Sequence, residues 1–394
     1  MTKALSEPAA AATSLPPPPI AEAPPKAPGS ALLRWIVLVL FLASLYLPLA
    51  FFADDRYWLP LFARYMAIAL FALSVDIIWG YTGLLSLGQG LYFGIGAYAI
   101  AYSLKLQRAA TDMGKPLAVI PDMALPDFML WCRLPAVPGW IAPLINIWTA
   151  IAVAIILPML VAYFFGLLTF RRGIKGVYFS LITQALVLAV FTLVVNQQPY
   201  TGGVVGMPNL PSLELFGQKF LMVPLYLLVT TLLVVCFVGT FVILNGKLGK
   251  LLTAIRDNEN RVKALGYNTA MYKTFAYVLA GTMAGLAGGL YVAAQRTVGP
   301  ESFGVAFSIE VVVLVAVGGR GTLYGAVIGA VLVHYLNTYI SAEYTEAWPI
   351  ILGSLFIFVT LLLPEGIVGW LSKFPERVGK VIQRRKAAAA TGGG

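Results

Sequence analysis

Ionisable side chains are scarce: Asp, Glu, Lys and Arg make up 11% of the 394 residues, less than half of the roughly 25% usual in soluble domains. Too few charges are present to build a polar shell, so water is not the chain's main solvent. Histidine occurs once, at His334, which excludes a His-based triad or a multi-histidine metal site within this chain. Cys132 and Cys236 are the only cysteines, and with no CxxC and no neighbouring His they indicate neither a disulfide nor a metal site. The phosphate loop GxxxxGKS/T is missing, so ATP is not bound here by that mechanism and any nucleotide motor must be another chain. No cluster of acid, base, nucleophile or metal ligand appears, which disfavours a membrane enzyme and leaves no catalytic residue, metal or cofactor to assign.

What is abundant is apolar: 59% of residues are hydrophobic and the mean hydropathy is +0.84. Runs of about 20 apolar residues, the length that crosses a bilayer, recur along nearly the whole chain. They predict an all-α, polytopic membrane bundle of about ten spans, near 32–52, 60–79, 84–104, 146–169, 176–195, 222–244, 274–294, 305–318, 323–341 and 348–370. The transmembrane domain is thus expected over 31–371. Residues 1–30, with Leu15-Pro-Pro-Pro-Pro and Ala23-Pro-Pro-Lys-Ala-Pro, read as a disordered cytoplasmic tail. They lack the basic start of a secretory signal, so the first apolar run is expected to be a retained helix. Residues 372–394 read as a basic cytoplasmic tail touching anionic lipid, and 105–143 as an external loop capping the bundle.

The net charge of +10 could suggest nucleic acid, but the basic residues fall between apolar runs rather than on one face, so topology explains them better. With the N-terminus inside, 19 Lys and Arg lie on the inner side and 8 on the outer. Ten spans with both termini cytoplasmic follow, as in a multi-pass protein of a bacterial inner membrane. Gly281, Gly285 and Gly289 repeat every four residues, as do Gly90 with Gly94 and Gly325 with Gly329. Such faces let helix backbones touch; ordinary packing is the plainer reading and lining a pathway the sharper one.

The inner segment 245–273 holds Leu251-Leu-Thr-Ala-Ile-Arg-Asp-Asn-Glu-Asn-Arg-Val-Lys-Ala-Leu-Gly-Tyr-Asn. It predicts a short amphipathic helix with Leu251, Leu252, Ile255, Val262 and Leu265 as its apolar residues. Asp257 to Arg261 form a polar patch, and Gly266 with Asn268 supplies a stop. This stretch resembles the cytoplasmic coupling loop of permease subunits in ABC importers, in the branched-chain amino acid and urea permease family. Further resemblance lies in Trp79-Gly-Tyr-Thr-Gly-Leu-Leu-Ser-Leu-Gly-Gln-Gly, Gly176-Val-Tyr-Phe-Ser-Leu-Ile-Thr-Gln-Ala-Leu, Tyr200-Thr-Gly-Gly-Val-Val-Gly-Met and Ala316-Val-Gly-Gly-Arg-Gly-Thr-Leu, covering residues 32–370.

The resemblance implies a docking loop seated in an ATPase groove, with Arg256, Asp257, Asn258, Glu259, Arg261 and Gly266 coupling the two. It also implies a second homologous permease, two cytoplasmic ATPase subunits that use the ATP, an external substrate-binding protein, and alternating access. Within the family, the block from Ile255 to Val262 and the run Val317-Gly-Gly-Arg-Gly-Thr-Leu resemble the urea-type second permease more than the amino-acid type, so urea or a short amide is the expected cargo. The long insertion between the third and fourth spans departs from the family.

Elementary chemistry fits a neutral cargo with amides and hydroxyls: Ser86, Gln89, Thr183, Gln184, Asn196 and Thr201 could supply them, or could simply bond neighbouring helices. Gly83, Gly88 and Gly90 interrupt the helical pattern, so the backbone around them must face protein or a water-filled route. Thr201 and Gly202 open an external loop that could gate the mouth. Asp76 and Glu310 remain at membrane depth, where a carboxylate costs about 2.5–3.5 kcal/mol on insertion scales, so structural ion pairing is expected of both. His334 is expected to serve as a polar partner in the ninth helix. A branched-chain amino acid permease and a self-sufficient transporter or channel are the competing readings.

Overall fold

The computed structural model describes residues 29–112, 125–174, 176–344, 348–362 and 366–370. The Ala/Pro-rich head, the basic tail and the middle of the 105–143 loop lie outside those residues. Helix α1 (Gly29–Ser44) belongs to one unit, and everything from Tyr46 onward to a second.

That second unit opens with α2 (Leu47–Phe52) and α3 (Trp58–Asp76), which runs on as a π-helical turn through Thr82. Then come α4 (Gln89–Asp112), α5 (Asp127–Trp131), α6 (Ile147–Arg171), α7 (Val177–Asn196) and the single turn α8 (Gln198–Thr201). A hairpin, β1 (Leu213–Leu215) with β2 (Gln218–Phe220), is the one departure from all-α among the described residues. Its two-residue turn, Phe216 and Gly217, has positive φ at both positions, the geometry that matches the twist of paired strands. Helices α9 (Met222–Asn245), α10 (Lys247–Ala264), α11 (Thr269–Gln295), α12 (Val305–Gly318), α13 (Leu323–Glu343) and α14 (Trp348–Leu362) complete the order.

Among the described residues, seven helical stretches are long and apolar enough to cross a membrane: Trp35–Phe52, Trp58–Thr82, Ile147–Arg171, Val177–Asn196, Met222–Asn245, Thr269–Gln295 and Leu323–Glu343. Val305–Gly318 and Ile350–Val359 are apolar but shorter. The third expected span begins not at residue 84 but at Gln89, because 83–88 is irregular rather than helical. Helix α4 also carries Lys105, Gln107 and Arg108 on to Asp112, which makes it less apolar and starts the external loop later than residue 105.

Helix α3 is apolar on every side, and such a helix belongs in the middle of a bundle. It is buried from Leu59 to Asp76 with few breaks, and it packs against α11, α13 and α9. By contrast, α6, α7 and α9 keep exposed apolar residues such as Phe164, Leu188 and Val235, a surface suited to lipid.

Helix α11 lies against α4 and α6 through its glycines. Gly281 faces Ala162, Gly285 faces Ala154 and Pro158, and Gly289 faces Ile100. Gly325 and Gly329 let α13 close on α12 at Gly318, and Gly94 sits under the Phe303 ring. The crossing of α4 on α11 joins Gly96 to Gly285, where a methyl on Gly96 would run into the Gly285 carbonyl. Gly96→Ala is therefore expected to destabilise the purified protein by about 1–3 kcal/mol, read as a lower thermal unfolding midpoint; an unchanged midpoint would mean that α4 and α11 can separate at no cost.

Candidate coupling and translocation site

Helix α10 is the most polar long helix of the chain, and it buries only Gly249, Leu252, Ile255 and Val262. It is not the continuous helix its pattern suggested. Asn258 adopts φ −156° and ψ 91°, and its Oδ1 accepts from the Arg261 N–H at 3.1 Å. The side chain thus caps a fresh helical turn, the competition with helix that makes Asn a starter rather than an interior residue. Gly266, at φ 86°, ends the helix. Asn268 does not stop α10 but starts α11, accepting from Met271 N–H at 3.3 Å.

The expected polar patch divides in two. Arg256 turns inward: Nη1 donates to the Gly80 carbonyl at 2.7 Å and Nε to Asp257 Oδ1 at 3.2 Å. Glu259 also turns inward, accepting from Lys273 Nζ at 2.6 Å and Thr269 Oγ1 at 3.0 Å, with Lys263 at 3.1 Å. These two residues therefore fasten α10 to the bundle, while Arg256 also keeps a third of its side chain exposed. Asp257, Asn258 and Arg261 stay exposed. Beside them stand Leu265, 72% exposed, Tyr267 and Met271, 69% exposed, so Leu265 lies outside the apolar face assigned to it. Exposed apolar residues rimmed by charge mark a protein contact.

The Gly80 carbonyl belongs to a joint. Asp76 is fully buried, and instead of the expected ion pair its Oδ1 accepts from the Gly321 N–H at 2.6 Å. A peptide donor reached it because Gly80 brings the α12–α13 turn within contact of the π-helical turn; a Cβ there would lie 2.6 Å from Gly321 N. Arg320 stacks its guanidinium over Trp79, 5.1 Å from the ring centre. At Gly83, φ 73°, a Cβ would meet Arg256 Cγ at 2.7 Å, which accounts for the glycine.

The non-helical stretch after it is braced by α7. Ser180 Oγ donates to Leu85 O at 2.6 Å, and Leu87 N–H donates to Thr183 Oγ1 at 3.2 Å. Thr183 Oγ1 in turn donates to Ser180 O, Gly88 N–H donates to Ser86 Oγ, and Gly90 N–H donates to Ser308 Oγ at 3.0 Å. Ser86 and Thr183 are thereby engaged with backbone groups. Gln89 is 1% exposed, and neither amide atom finds a partner among the described residues. Gln184 stands half-buried on α7.

At the opposite end, Thr201 Oγ1 donates to Gln197 O at 2.8 Å, so it closes α8 and is not a free hydroxyl either. Gly202, at φ 79°, folds under Gly206, and Met207 bridges to Val298 in both directions at 2.8 and 3.2 Å. Lys105, buried, reaches Asp127 Oδ2 and Pro208 O, both at 2.9 Å, tying the 105–143 segment to the same strap.

Beside that strap lies a cavity of about 900 Å³ between α7, α12 and α14. Glu310 lines it, and His334 Nε2 stands 4.0 Å from its carboxylate, beyond hydrogen-bonding distance, so this contact is not the ion pair expected. Gln295 also lines it and accepts from Arg64 Nη1 at 2.8 Å. Only Glu310 was legible as a member. Most of the other residues come from the continuous stretch 291–313 around it, but α7 and α14 close the chamber from far away in sequence, and no local spacing could have joined them to it.

A buried, glycine-packed helical bundle with a polar helix fastened to one end and a cavity near the other defines a multi-pass membrane permease. The chain belongs to the family described as branched-chain amino acid transport system / permease component, whose model matches residues 58–362. It is similar to the high-affinity branched-chain amino acid transport system permease protein LivM of Escherichia coli, 24% identical over 327 residues, covering 77% of this chain and 68% of the relative. It is also 24% identical to the probable branched-chain amino acid transport permease protein LivH of Methanocaldococcus jannaschii, over 77% of this chain and 88% of the relative. The ribose import permease protein RbsC of Haemophilus influenzae is 22% identical over 55% of this chain and 68% of its own length. No solved structure matches.

Proposed function

We propose that this chain is a transmembrane subunit of an ATP-driven importer in a bacterial inner membrane, moving a branched-chain aliphatic amino acid inward by alternating access. The observation that carries the reading is the family match over 58–362, with α10 supplying a handle of the right chemistry. A second homologous permease completes the pathway, two cytoplasmic ATPases grip Asp257, Asn258, Arg261 and the Leu265–Met271 apolar edge, and an external binding protein delivers the cargo. ATP is used by those partners. Ten spans with both termini inside remain the topology we propose, which places α10 on the cytoplasmic side.

An amino acid replaces urea as the favoured cargo for two reasons. Two of the relatives above carry branched-chain amino acids in their names. The hydroxyls of Ser86, Thr183 and Thr201, which a neutral amide would need, are held by backbone groups. In cells lacking only this chain, uptake of radiolabelled leucine is expected to fall at least about tenfold, while urea uptake stays unchanged. A defect confined to urea would reverse the choice of cargo.

A further inference from the structure

The cavity between α7, α12 and α14 has one feature that lipid or a packed helix would not require. Two carboxylates, Glu301 and Glu310, line a mostly apolar chamber whose walls include Leu188, Phe191, Leu352 and Phe356. Glu310 lies one and a half turns into α12 and its side chain is 25% exposed. Glu301 sits at the rim in the turn Pro300–Phe303, its carboxylate folded back against Gly299, where any larger residue would collide with it. Neither carboxylate hydrogen-bonds to another side chain among the described residues: Arg64, the nearby cation, directs Nη1 to Gln295 rather than to Glu310, and the His334 imidazole stands 4.0 Å away.

Carboxylates at membrane depth are costly, and one that faces a cavity without a hydrogen-bonded partner marks a candidate substrate route. An uncommitted acid facing an apolar chamber matches a ligand with an ammonium at one end and a hydrocarbon group at the other. The volume of about 900 Å³ lies within the range of roughly 300–1,000 Å³ usual for small-molecule sites. The chamber stands at the end of the bundle opposite α10, between the Met207–Val298 bridge and the last helix.

Resting on the importer reading above, we propose that this cavity is the outward-facing receiving site for the cargo, with Glu310 taking the α-ammonium, Glu301 guiding it in at the rim, and the aliphatic side chain lying against Leu188, Phe191, Leu352 and Phe356. The site would admit aliphatic amino acids and reject their deaminated acids, which keep the carboxylate but lack the ammonium that Glu310 pairs with.

The test uses the complete importer in proteoliposomes with leucine as probe, scoring leucine imported per ATP hydrolysed. Glu310→Gln is expected to lower that ratio at least about tenfold, the scale of a lost charge-assisted hydrogen bond. ATP hydrolysis stimulated by the binding protein should be unchanged, and Glu310→Asp should recover part of the ratio. Leu352→Trp, which fills the chamber and keeps both carboxylates, is expected to lower the ratio as well. Unchanged transport in both Glu310→Gln and the double variant with Glu301→Gln overturns the site while the importer reading stands. A loss with Leu352→Trp alone also overturns it, since the chamber would then matter without its charge. If the unmodified complex moves no aliphatic amino acid at all, both proposals fall together.

Discussion

Replacing Arg256 with alanine is expected to abolish leucine uptake, by about tenfold or more, while the chain still inserts, assembles and supports ATP hydrolysis. Arg256 joins α10 to the end of α3, donating to the Gly80 carbonyl at 2.7 Å. A push delivered to α10 therefore arrives at the α3 end, and through Gly80 at the α12–α13 turn, by a single short path. Hydrogen bonds from a charged group contribute roughly 1.5–3 kcal/mol, which converts to the expected loss if motor movement must cross this link. Arg256→Lys should retain part of the uptake, since an ammonium can reach one carbonyl although it lacks the planar fork that also holds Asp257. Measuring uptake and hydrolysis together separates uncoupling from misfolding. Full uptake in the alanine variant would show that the mechanical link runs elsewhere.

The coupling segment shows how far the sequence could be read and where it stopped. Its amphipathic pattern, the Gly266 ending and the position between two long spans were all visible in residue order. The direction each charged side chain takes was not. Arg256 and Glu259 sit three residues apart in a run of polar residues, and nothing local says that both turn inward, one to Gly80 and one to Lys273. Those partners lie on other helices, so only the packed bundle defines them. Asp76 gives the same lesson from the other direction. Its cost at membrane depth demanded a partner, and a cation was the natural expectation. Arg320 was nearby but chose the Trp79 ring, and a peptide N–H took the carboxylate. The large apolar spans read well because each one's length carries its own signal. The interrupted stretch 83–88 read less well, since a break in a helical pattern reports the need for bonds without naming Ser180 or Thr183 as their source.

The joint around Gly80 predicts an order of damage among three substitutions. Asp76→Asn keeps an oxygen where the Gly321 N–H points, and exchanges a charged acceptor for a neutral one, so it is expected to cost about 1 kcal/mol. Asp76→Ala removes the acceptor and leaves a peptide N–H unpaired, at about 1–3 kcal/mol. Gly80→Ala should be the worst of the three. Its methyl would press on Asp76 Oδ1 and lie 2.6 Å from Gly321 N, and two backbones cannot give way as a flexible side chain does. Overpacking of this kind costs about 1–3 kcal/mol or more. The displacement also moves the carbonyl that Arg256 holds, so Gly80→Ala alone should lose uptake together with stability. Thermal unfolding midpoints of the three purified variants, set beside leucine uptake in membranes, give the ranking directly. If Gly80→Ala unfolds no earlier than Asp76→Asn and transports normally, the α3 end and the α12–α13 turn move independently, and force from α10 does not pass through their contact.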